Sequence, residues 1–143
     1  MDKRRAIKHV LQMRSLKKDA IYLGSPLFLT KARTKDFKFL VERVESKLEG
    51  WRSKSLSWAS RSTLINSIVQ AIPNYAMSTF NVPNNVCNKL DSLSRRFWWK
   101  PKKSEGKFLA LTAWDNLCKP KCEGGLGFKS AKKMNNALLA KLA

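Results

Sequence analysis

The chain has 143 residues, of which 43% are hydrophobic, and its 29 Lys and Arg against 10 Asp and Glu give a formal charge of +19. This length and apolar content are typical of one folded domain or part of one, and they exclude a disordered chain. A charge of this size repels itself in a compact fold unless much of it meets an anion, so it predicts a polyanionic partner. Nucleic acid, an anionic membrane and an acidic protein all stay open on charge alone.

Residues 1–30 predict a short helix followed by a strand, a turn and a second extended piece. The segment RRAIKHVLQM places apolar residues on one helical stripe, which are Ala6, Ile7, Val10 and Leu11, extending toward Arg14. The segment DAIYLGSPLFLT, residues 19–30, is rich in β-favouring residues that Gly24 and Pro26 interrupt. This second segment is typical of the edge of a sheet.

From Thr34 onward, apolar residues recur at steps of three and four and predict an amphipathic helix. Its core stripe is Phe37, Leu40, Val41, Val44, Leu48 and Trp51. Its outer side is basic, with Lys35, Lys38, Arg43, Lys47 and Arg52. Gly50 either weakens this helix or allows a neighbour to approach closely.

Two more core helices follow. Ser57 is a candidate N-cap for a helix whose stripe is Leu64, Ile65, Ile68, Val69 and Ile72. Pro73 should end or kink that helix. The next helix starts at Asn84 or Asn85, and its stripe is Val86, Leu90, Leu93 and Phe97.

The last third of the chain predicts a basic loop, a short helix, a turn and a final helix. Thr112 and Asp115 have the spacing of a capping box for the short helix, and the segment GGLG forces the turn. Ser130 can cap a final helix whose apolar face is Ala131, Met134, Ala137, Leu138 and Leu142. That helix keeps an open apolar side up to the last residue, so we expect the chain to be a piece of something longer. The fold class predicted is mainly α, a helical bundle with a short N-terminal β element and a C-terminal helix.

Catalytic chemistry has few candidate residues. The only His is His9, and the acids are scattered among bases apart from Glu42, Glu45 and Glu49 at helical spacing. That trio could bind Mg²⁺, but a solvated helix face is the preferred interpretation. An Asp-Asp pair, a phosphate-binding Gly-Lys loop and a nucleophile elbow are all absent from the sequence, so the chain alone is not expected to be an enzyme.

The three cysteines, Cys87, Cys118 and Cys122, are an odd number in a sequence without a secretion signal, which predicts reduced thiols. Zinc is disfavoured because Cys118 and Cys122 lack a second nearby pair of ligands, and no metal is predicted. No run approaches the about 18 apolar residues of a membrane span. We therefore expect a cytoplasmic or nuclear protein with no membrane partner.

Basic residues interleaved with aromatic ones favour nucleic acid, because cations meet phosphates while rings stack on bases. The candidate contacts are Arg52, Lys54, Arg61, Arg95, Arg96, Lys100, Lys102 and Lys103. Trp51 and Phe97 lie on apolar stripes and are predicted to be core. For Trp98 and Trp99, packing is favoured over stacking on bases.

Five segments in order carry a family resemblance: YLGSPLF, KLEGWRSKSLSWASRSTLINSIVQAIPNYAMSTFNVP, LDSLSRRFWW, AWDNLCKPKCEGGLGF and NNALLAKLA. Together they resemble the reverse transcriptase polyprotein of LINE-type (non-LTR) retrotransposons of plant genomes. The resemblance implies that residues 1–30 end a palm, residues 31–100 form a helical thumb, and residues 101–143 begin a connector.

The same resemblance implies roles for particular residues. Tyr22, Leu23 and Gly24 would lie at the palm edge near the primer end. The thumb hallmark is matched by Trp51, Ser57, Arg61, Leu64, Ile65, Pro73 and Tyr75. A thumb clamps an RNA or DNA template-primer duplex, and Arg61 would either contact phosphate or anchor the helix pair.

The sequence also departs from the family pattern, with Ser25 in place of the usual Leu and Ser60 in place of the usual Gly. The palm motif whose Asp pair holds two metal ions is absent, so Mg²⁺ would belong to the missing palm and this chain carries no cofactor of its own. Three alternatives stay open: a helical protein-interaction module, which could dock on that palm; a decayed transposon fragment with no selected function; and a basic amphipathic binder of membrane surfaces.

Overall fold

The computed structural model describes residues 3–12, 20–22, 24–30, 33–52, 54–100 and 108–142. The chain divides into two compact units, Met1–Lys31 and Ala32–Ala143. The described residues are mainly helical, with one two-stranded sheet in the first unit, which confirms the predicted fold class. Among their helices, none combines the length and apolar content that crossing a bilayer requires.

The first unit contains one helix and a β-hairpin: α1, Lys3–Val10; β1, Ile21–Tyr22; and β2, Ser25–Pro26. The strands are antiparallel, with Ile21 opposite Pro26 and Tyr22 opposite Ser25. Gly24 makes the turn with a φ of 77°, a conformation that suits glycine. The predicted strand and turn are therefore confirmed.

The apolar stripe predicted for α1 is not a buried face. Ile7, Val10 and Leu11 are all exposed, whereas Arg14 and the side chain of Ala6 lie outside the described residues. A stripe at helical spacing shows which side could be buried, but a covering surface must also be present, and the described residues of the first unit do not supply one.

The second unit begins with α2, Arg33–Asp36, and α3, Lys38–Arg52. The predicted core stripe is confirmed, since α3 buries Leu40, Val41, Val44 and Leu48, and Phe37 just before it is also buried. The helix continues through Gly50, where an added Cβ would meet nothing within 4 Å. Close approach of a neighbour at this glycine was therefore a wrong expectation.

The next helix changes geometry partway along. Helix α4, Trp58–Leu64, starts where the Ser57 Oγ accepts a hydrogen bond from the Ser60 N–H at 3.2 Å, which confirms Ser57 as the N-cap. It passes into a π-helix at Ile65–Val69. The Ser67 hydroxyl donates to the Thr63 carbonyl oxygen at 2.6 Å. Such a bond competes with the α-helical ladder at the same carbonyl.

Helix α5, Asn74–Thr79, follows Pro73, which confirms the predicted break. Helix α6, Asn84–Trp99, starts at Asn84 as expected. Its buried residues are Val86, Cys87, Leu90, Ser94, Phe97 and Trp98. Because it packs against α3 and α4, α6 is the central helix of the second unit.

Helix α7, Trp114–Leu117, a 3-10 turn at Lys121–Glu123, and α8, Ala131–Ala140, complete the fold. Helix α8 packs on α5 and α6. The three-part division of the sequence at residues 30 and 100 stays a prediction.

Two predicted helix caps differ from the structure. Ala113, not Thr112, occupies the cap position of α7, and no side chain caps that helix. Ser130 does stand at the cap position of α8, but its hydroxyl does not cap the helix. Instead the Asp91 carboxylate accepts the Ala131 N–H at 2.9 Å and the Ser130 hydroxyl at 3.3 Å. The cap of the first N–H of α8 therefore comes from α6, because the folded chain brings a charged acceptor to it.

The apolar face predicted for α8 is also only partly right. Ala131 is buried, but Ala137 and Leu142 are exposed. The most buried side chain of α8 is the polar Asn135, at 0% exposure. A fully buried amide is stable only when its polar atoms are paired, and this residue finds its partners on the α5–α6 connection.

Candidate nucleic-acid interface

Three tryptophans and one arginine meet where the start of α4 lies against the end of α6. We call Trp58, Arg61, Trp98 and Trp99 the Trp–Arg cluster. The Arg61 guanidinium carbon lies 4.4 Å from the centre of the Trp58 ring. Arg61 Nη1 donates to the Trp98 carbonyl oxygen at 3.1 Å, and its Nε donates to the Leu56 carbonyl oxygen at 3.2 Å. Arg61 thus connects α4 to the last turn of α6, whose carbonyls lack helical partners.

The rings of the Trp–Arg cluster meet at steep angles. The Trp58 and Trp98 ring centres are 4.9 Å apart at an interplanar angle of 58°, and those of Trp58 and Trp99 are 6.0 Å apart at 74°. Trp98 also meets Phe128 edge-on at 5.4 Å, and it is only 7% exposed. The packing predicted for Trp98 is confirmed, and half-buried Trp99 packs against Trp98 and Trp58 as well.

Trp58 is the exception in this cluster, because it remains 52% exposed. Its exposure was not predicted from the sequence. Trp58 stands directly after the N-cap and seven residues before Ile65, so it lies on the apolar stripe of its helix, and periodicity alone predicts burial for it.

The predicted phosphate contacts are spread over several environments. Lys54 and Arg95 are exposed, whereas Arg52, Arg61, Arg96 and Lys100 are half-buried. Arg95 lies one helical turn before Trp99, and Lys100 follows Trp99 directly, so both lie near the Trp–Arg cluster. Lys102 and Lys103 lie outside the described residues.

Arg52 and Arg96 have a different neighbourhood. With Leu93 they line a groove of about 410 Å³ between α3 and α6, together with the carboxylates of Glu42, Glu45 and Glu49. Because three carboxylates lie beside two guanidinium groups, this groove is not a positively charged surface. Arg52 lies three residues after Glu49 in the same helix, which the sequence could show, whereas the position of Arg96 beside the glutamates depends on the packing of α6 against α3.

The three glutamates lie on an exposed helix face, as the preferred interpretation predicted. Glu42 pairs with Lys38 at 3.2 Å, and both side chains are more than half exposed. Such a surface pair contributes only about 0–1 kcal/mol to stability. Within the described ranges, no group of three His, Cys, Asp or Glu side chains is placed to hold a metal ion.

The palm-edge motif falls in the first unit. Tyr22 is exposed in β1, Gly24 forms the turn, and Leu23 lies outside the described residues. Their role near a primer end stays a prediction.

All three cysteines are free thiols in different environments: Cys87 is buried, Cys118 is half-buried and Cys122 is exposed. Burial raises the pKa of Cys87. Burial, together with the negative charges of Asp91 and Asp115, raises the pKa of Cys118 to about 11. A raised pKa leaves little thiolate near neutral pH, so neither thiol is activated as a nucleophile.

Two curated relatives, both from Arabidopsis thaliana, are similar to the chain. A protein named "Putative ribonuclease H protein" is 44% identical over 115 residues, which cover 80% of this chain and 18% of that protein. A protein named "Uncharacterized mitochondrial protein" is 44% identical over 72 residues, which cover 50% of this chain and 46% of that protein. The chain therefore spans less than half the length of either relative. No protein-family model matches the chain. No solved structure matches it.

Proposed function

We propose that the chain is a nucleic-acid-binding fragment of a LINE-type retrotransposon reverse transcriptase, comprising its thumb and the start of its connector. It clamps a template-primer duplex through contacts to the sugar-phosphate backbone, it is not catalytic alone, and it acts in the cytoplasm or nucleus. The ordered sequence motifs support this origin, as does the similarity to a protein named as a ribonuclease H, a class that acts on nucleic acid.

One observation carries the binding function: the helices bury apolar faces against each other and leave an excess of cations outside. With 29 basic residues against 10 acidic ones, pairing inside the chain cannot neutralise the charge. Lys54 and Arg95 are exposed examples. A duplex carries one negative charge per about 1.7 Å of axis, which is the complement that such a surface needs.

The salt dependence of binding tests this function. If the chain neutralises about six to ten phosphates, its affinity for a duplex should fall by about 10³ to 10⁵ between about 50 and 200 mM salt. Fluorescence anisotropy with a labelled RNA-DNA hybrid and with duplex DNA of unrelated sequences measures both the salt slope and the base preference. A flat response to salt would count against the proposal.

Two matched variants locate the contacts. Lys54→Gln removes an exposed cation, so we expect the salt slope to shrink by about 0.9 for one lost phosphate contact. Lys38→Gln removes the same charge from a lysine already paired with Glu42 on the glutamate side of α3, so it should leave the slope nearly unchanged. Equal effects of the two changes would mean that binding responds only to net charge.

A second candidate function is a contact with protein, and the first unit favours it. Its exposed large apolar side chains are Ile7, Val10, Leu11, Ile21, Tyr22, Leu27, Phe28 and Leu29. This is more apolar surface than a free unit of that size usually shows. The missing palm is the partner that the family resemblance suggests. A polypeptide extended by the palm should protect these side chains from hydrogen exchange and dye binding, and unchanged exposure would exclude this contact.

A further inference from the structure

Trp58 presents an aromatic ring that the fold holds in place yet leaves more than half exposed. The Arg61 guanidinium covers part of it at 4.4 Å, and Arg61 is itself fixed by hydrogen bonds to two backbone carbonyls. The rings of Trp98 and Trp99 contact Trp58 at 58° and 74°. Neither tryptophan is stacked parallel on the Trp58 ring, whereas the guanidinium lies over it.

A ring fixed in this way is prepared for stacking, because little side-chain freedom remains to be lost when a flat ligand arrives. The guanidinium also places a positive charge over the same ring. Exposed Arg95 and half-buried Lys100 flank Trp99 in the sequence, so cations lie close to the same ring system. An aromatic surface edged by cations suits a flat, electron-rich group joined to a negative backbone.

We propose that the exposed part of the Trp58 ring is a stacking position for an unpaired base, so that the chain recognises a single-stranded segment next to the duplex. The inference rests on the proposed nucleic-acid function and adds a substrate feature to it. Bases inside a duplex already stack on both faces, so only an unpaired or terminal base can stack on Trp58.

An exposed Trp beside Arg is also typical of an anchor in a protein interface. Nucleic acid is favoured here because the residues next to the ring are cationic. The glutamates of the second unit's groove line the α3–α6 side instead. A protein anchor is therefore an outcome that the experiment must distinguish.

The test compares three labelled probes of one hairpin duplex: blunt, with a single-stranded overhang, and with the same overhang made abasic. The wild-type chain should bind the base-carrying overhang roughly 5- to 150-fold more tightly than the abasic one, the range measured for one stacked base. Trp58→Leu should lose that factor on the base-carrying overhang and bind the abasic probe as the wild type does.

Trp58→Phe keeps an aromatic contact with Arg61 and should show a partial loss, which keeps the test decisive if the Leu variant fails to fold. Trp51→Phe, at a half-buried tryptophan packed on Phe97, is the matched control and should leave the affinity for every probe unchanged.

Equal wild-type affinity for the two overhangs would overturn the inference, as would an equal effect of Trp58→Leu on every probe. If no probe binds even at low salt, the proposed function fails as well. If the blunt duplex binds with the expected salt slope and the overhang base adds nothing, only the stacking position fails.

Discussion

Asn135 connects α8 to the rest of the second unit through its side-chain amide. Its Nδ2 donates to the carbonyl oxygens of Met77 at 2.7 Å and Phe80 at 2.9 Å, and its Oδ1 accepts the Val82 N–H at 3.0 Å. The first of these bonds joins residues 58 positions apart. A polar residue thus satisfies three backbone groups that the end of α5 and the following loop leave unpaired.

We expect Asn135→Ala to destabilise the fold by at least about 2 kcal/mol, because buried groups without a partner cost about 1–3 kcal/mol each. Asn136→Ala is the control, since Asn136 is the next residue of α8 and is exposed. It should change stability by less than about 0.5 kcal/mol. The midpoint of urea unfolding, followed by circular dichroism, measures both, and similar midpoints for the two variants would contradict this role of Asn135.

Two glycines should respond to alanine in opposite directions. A Cβ on Gly125 would collide with the backbone of Lys119, so Gly125→Ala should destabilise by about 1–3 kcal/mol. A Cβ on Gly50 would meet no neighbour, so Gly50→Ala in α3 should stabilise by about 0.4–1 kcal/mol. Thermal unfolding of the two variants checks the sign of each effect, and a tolerated Gly125→Ala would mean that the turn can open.

Sequence patterns say little about such residues. Asn135 is a polar residue that is fully buried on the apolar stripe of its helix, and Trp58 is an apolar residue that is exposed although it lies on such a stripe, so periodicity and residue type together predict neither environment. Their environments come from neighbours that are distant in sequence, such as Met77 for Asn135 and Trp98 for Trp58.

At the scale of elements, Asp91 of α6 caps α8. Burial raises the pKa of the Asp91 carboxyl above its usual 3.8, and the hydrogen bonds from Ala131 and Ser130 offset only part of that rise. The folded chain therefore holds a proton on Asp91 at pH values where the unfolded chain has lost it. This contribution to stability is complete below pH 3.8 and is lost as pH rises through the folded pKa.

Asp91→Asn should therefore remove a pH-dependent part of stability while keeping an oxygen for the Ala131 N–H. We expect the stability of the wild type relative to Asp91→Asn to rise as pH falls from neutral toward 3.8. Urea unfolding of both chains across that interval measures the difference. A wild type that weakens relative to the variant on acidification would show that the capping bonds outweigh the cost of burial. Asp91→Ala, which removes the cap, should cost about 0.5–2 kcal/mol at neutral pH.

Arg61 links α4 to α6, and Arg61→Lys separates the two roles considered for it. Lysine keeps the charge but cannot donate in the fork geometry that reaches the carbonyls of Leu56 and Trp98. We expect a loss of about 1–3 kcal/mol of stability with an unchanged salt slope for duplex binding. The urea midpoint and the anisotropy titration measure the two quantities. A stable variant with weak binding would instead assign Arg61 to phosphate.

The limits of helices were largely predictable because burial stripes, proline breaks and the Ser57 cap are local signals. The π-helix at Ile65–Val69 was not, because the apolar residues that pass through it have the spacing of an ordinary α-helix. The cap of α8 was missed because its acceptor lies on another helix.

For the whole molecule, the second unit holds a core to which the last helix contributes. Phe128 and Ala131 are buried in the same cluster as Leu40 and Ile65. Residues beyond position 100 therefore contribute to the core of the second unit. The sequence predicted the mainly helical class correctly, but the distribution of its charge over grooves such as the one lined by Arg52 and Glu49 depends on packing.

We expect residues 32–143 to fold without the first unit, and residues 32–100 to fail to unfold cooperatively. The shorter piece lacks Asn135, Phe128 and Ala131, and so exposes the surface that α8 covers. Circular dichroism during thermal unfolding distinguishes the two polypeptides by the steepness of the transition. A cooperative transition in residues 32–100 would make the thumb-like region independent of the connector.

The thiols differ in how readily a reagent in solution can reach them, because their burial differs. An alkylating reagent should modify Cys122 at once because it is exposed, whereas Cys87, on the buried face of α6, reacts only when the surrounding helices separate. The delay between the two modifications, followed by mass spectrometry, would report how often the interior opens under native conditions.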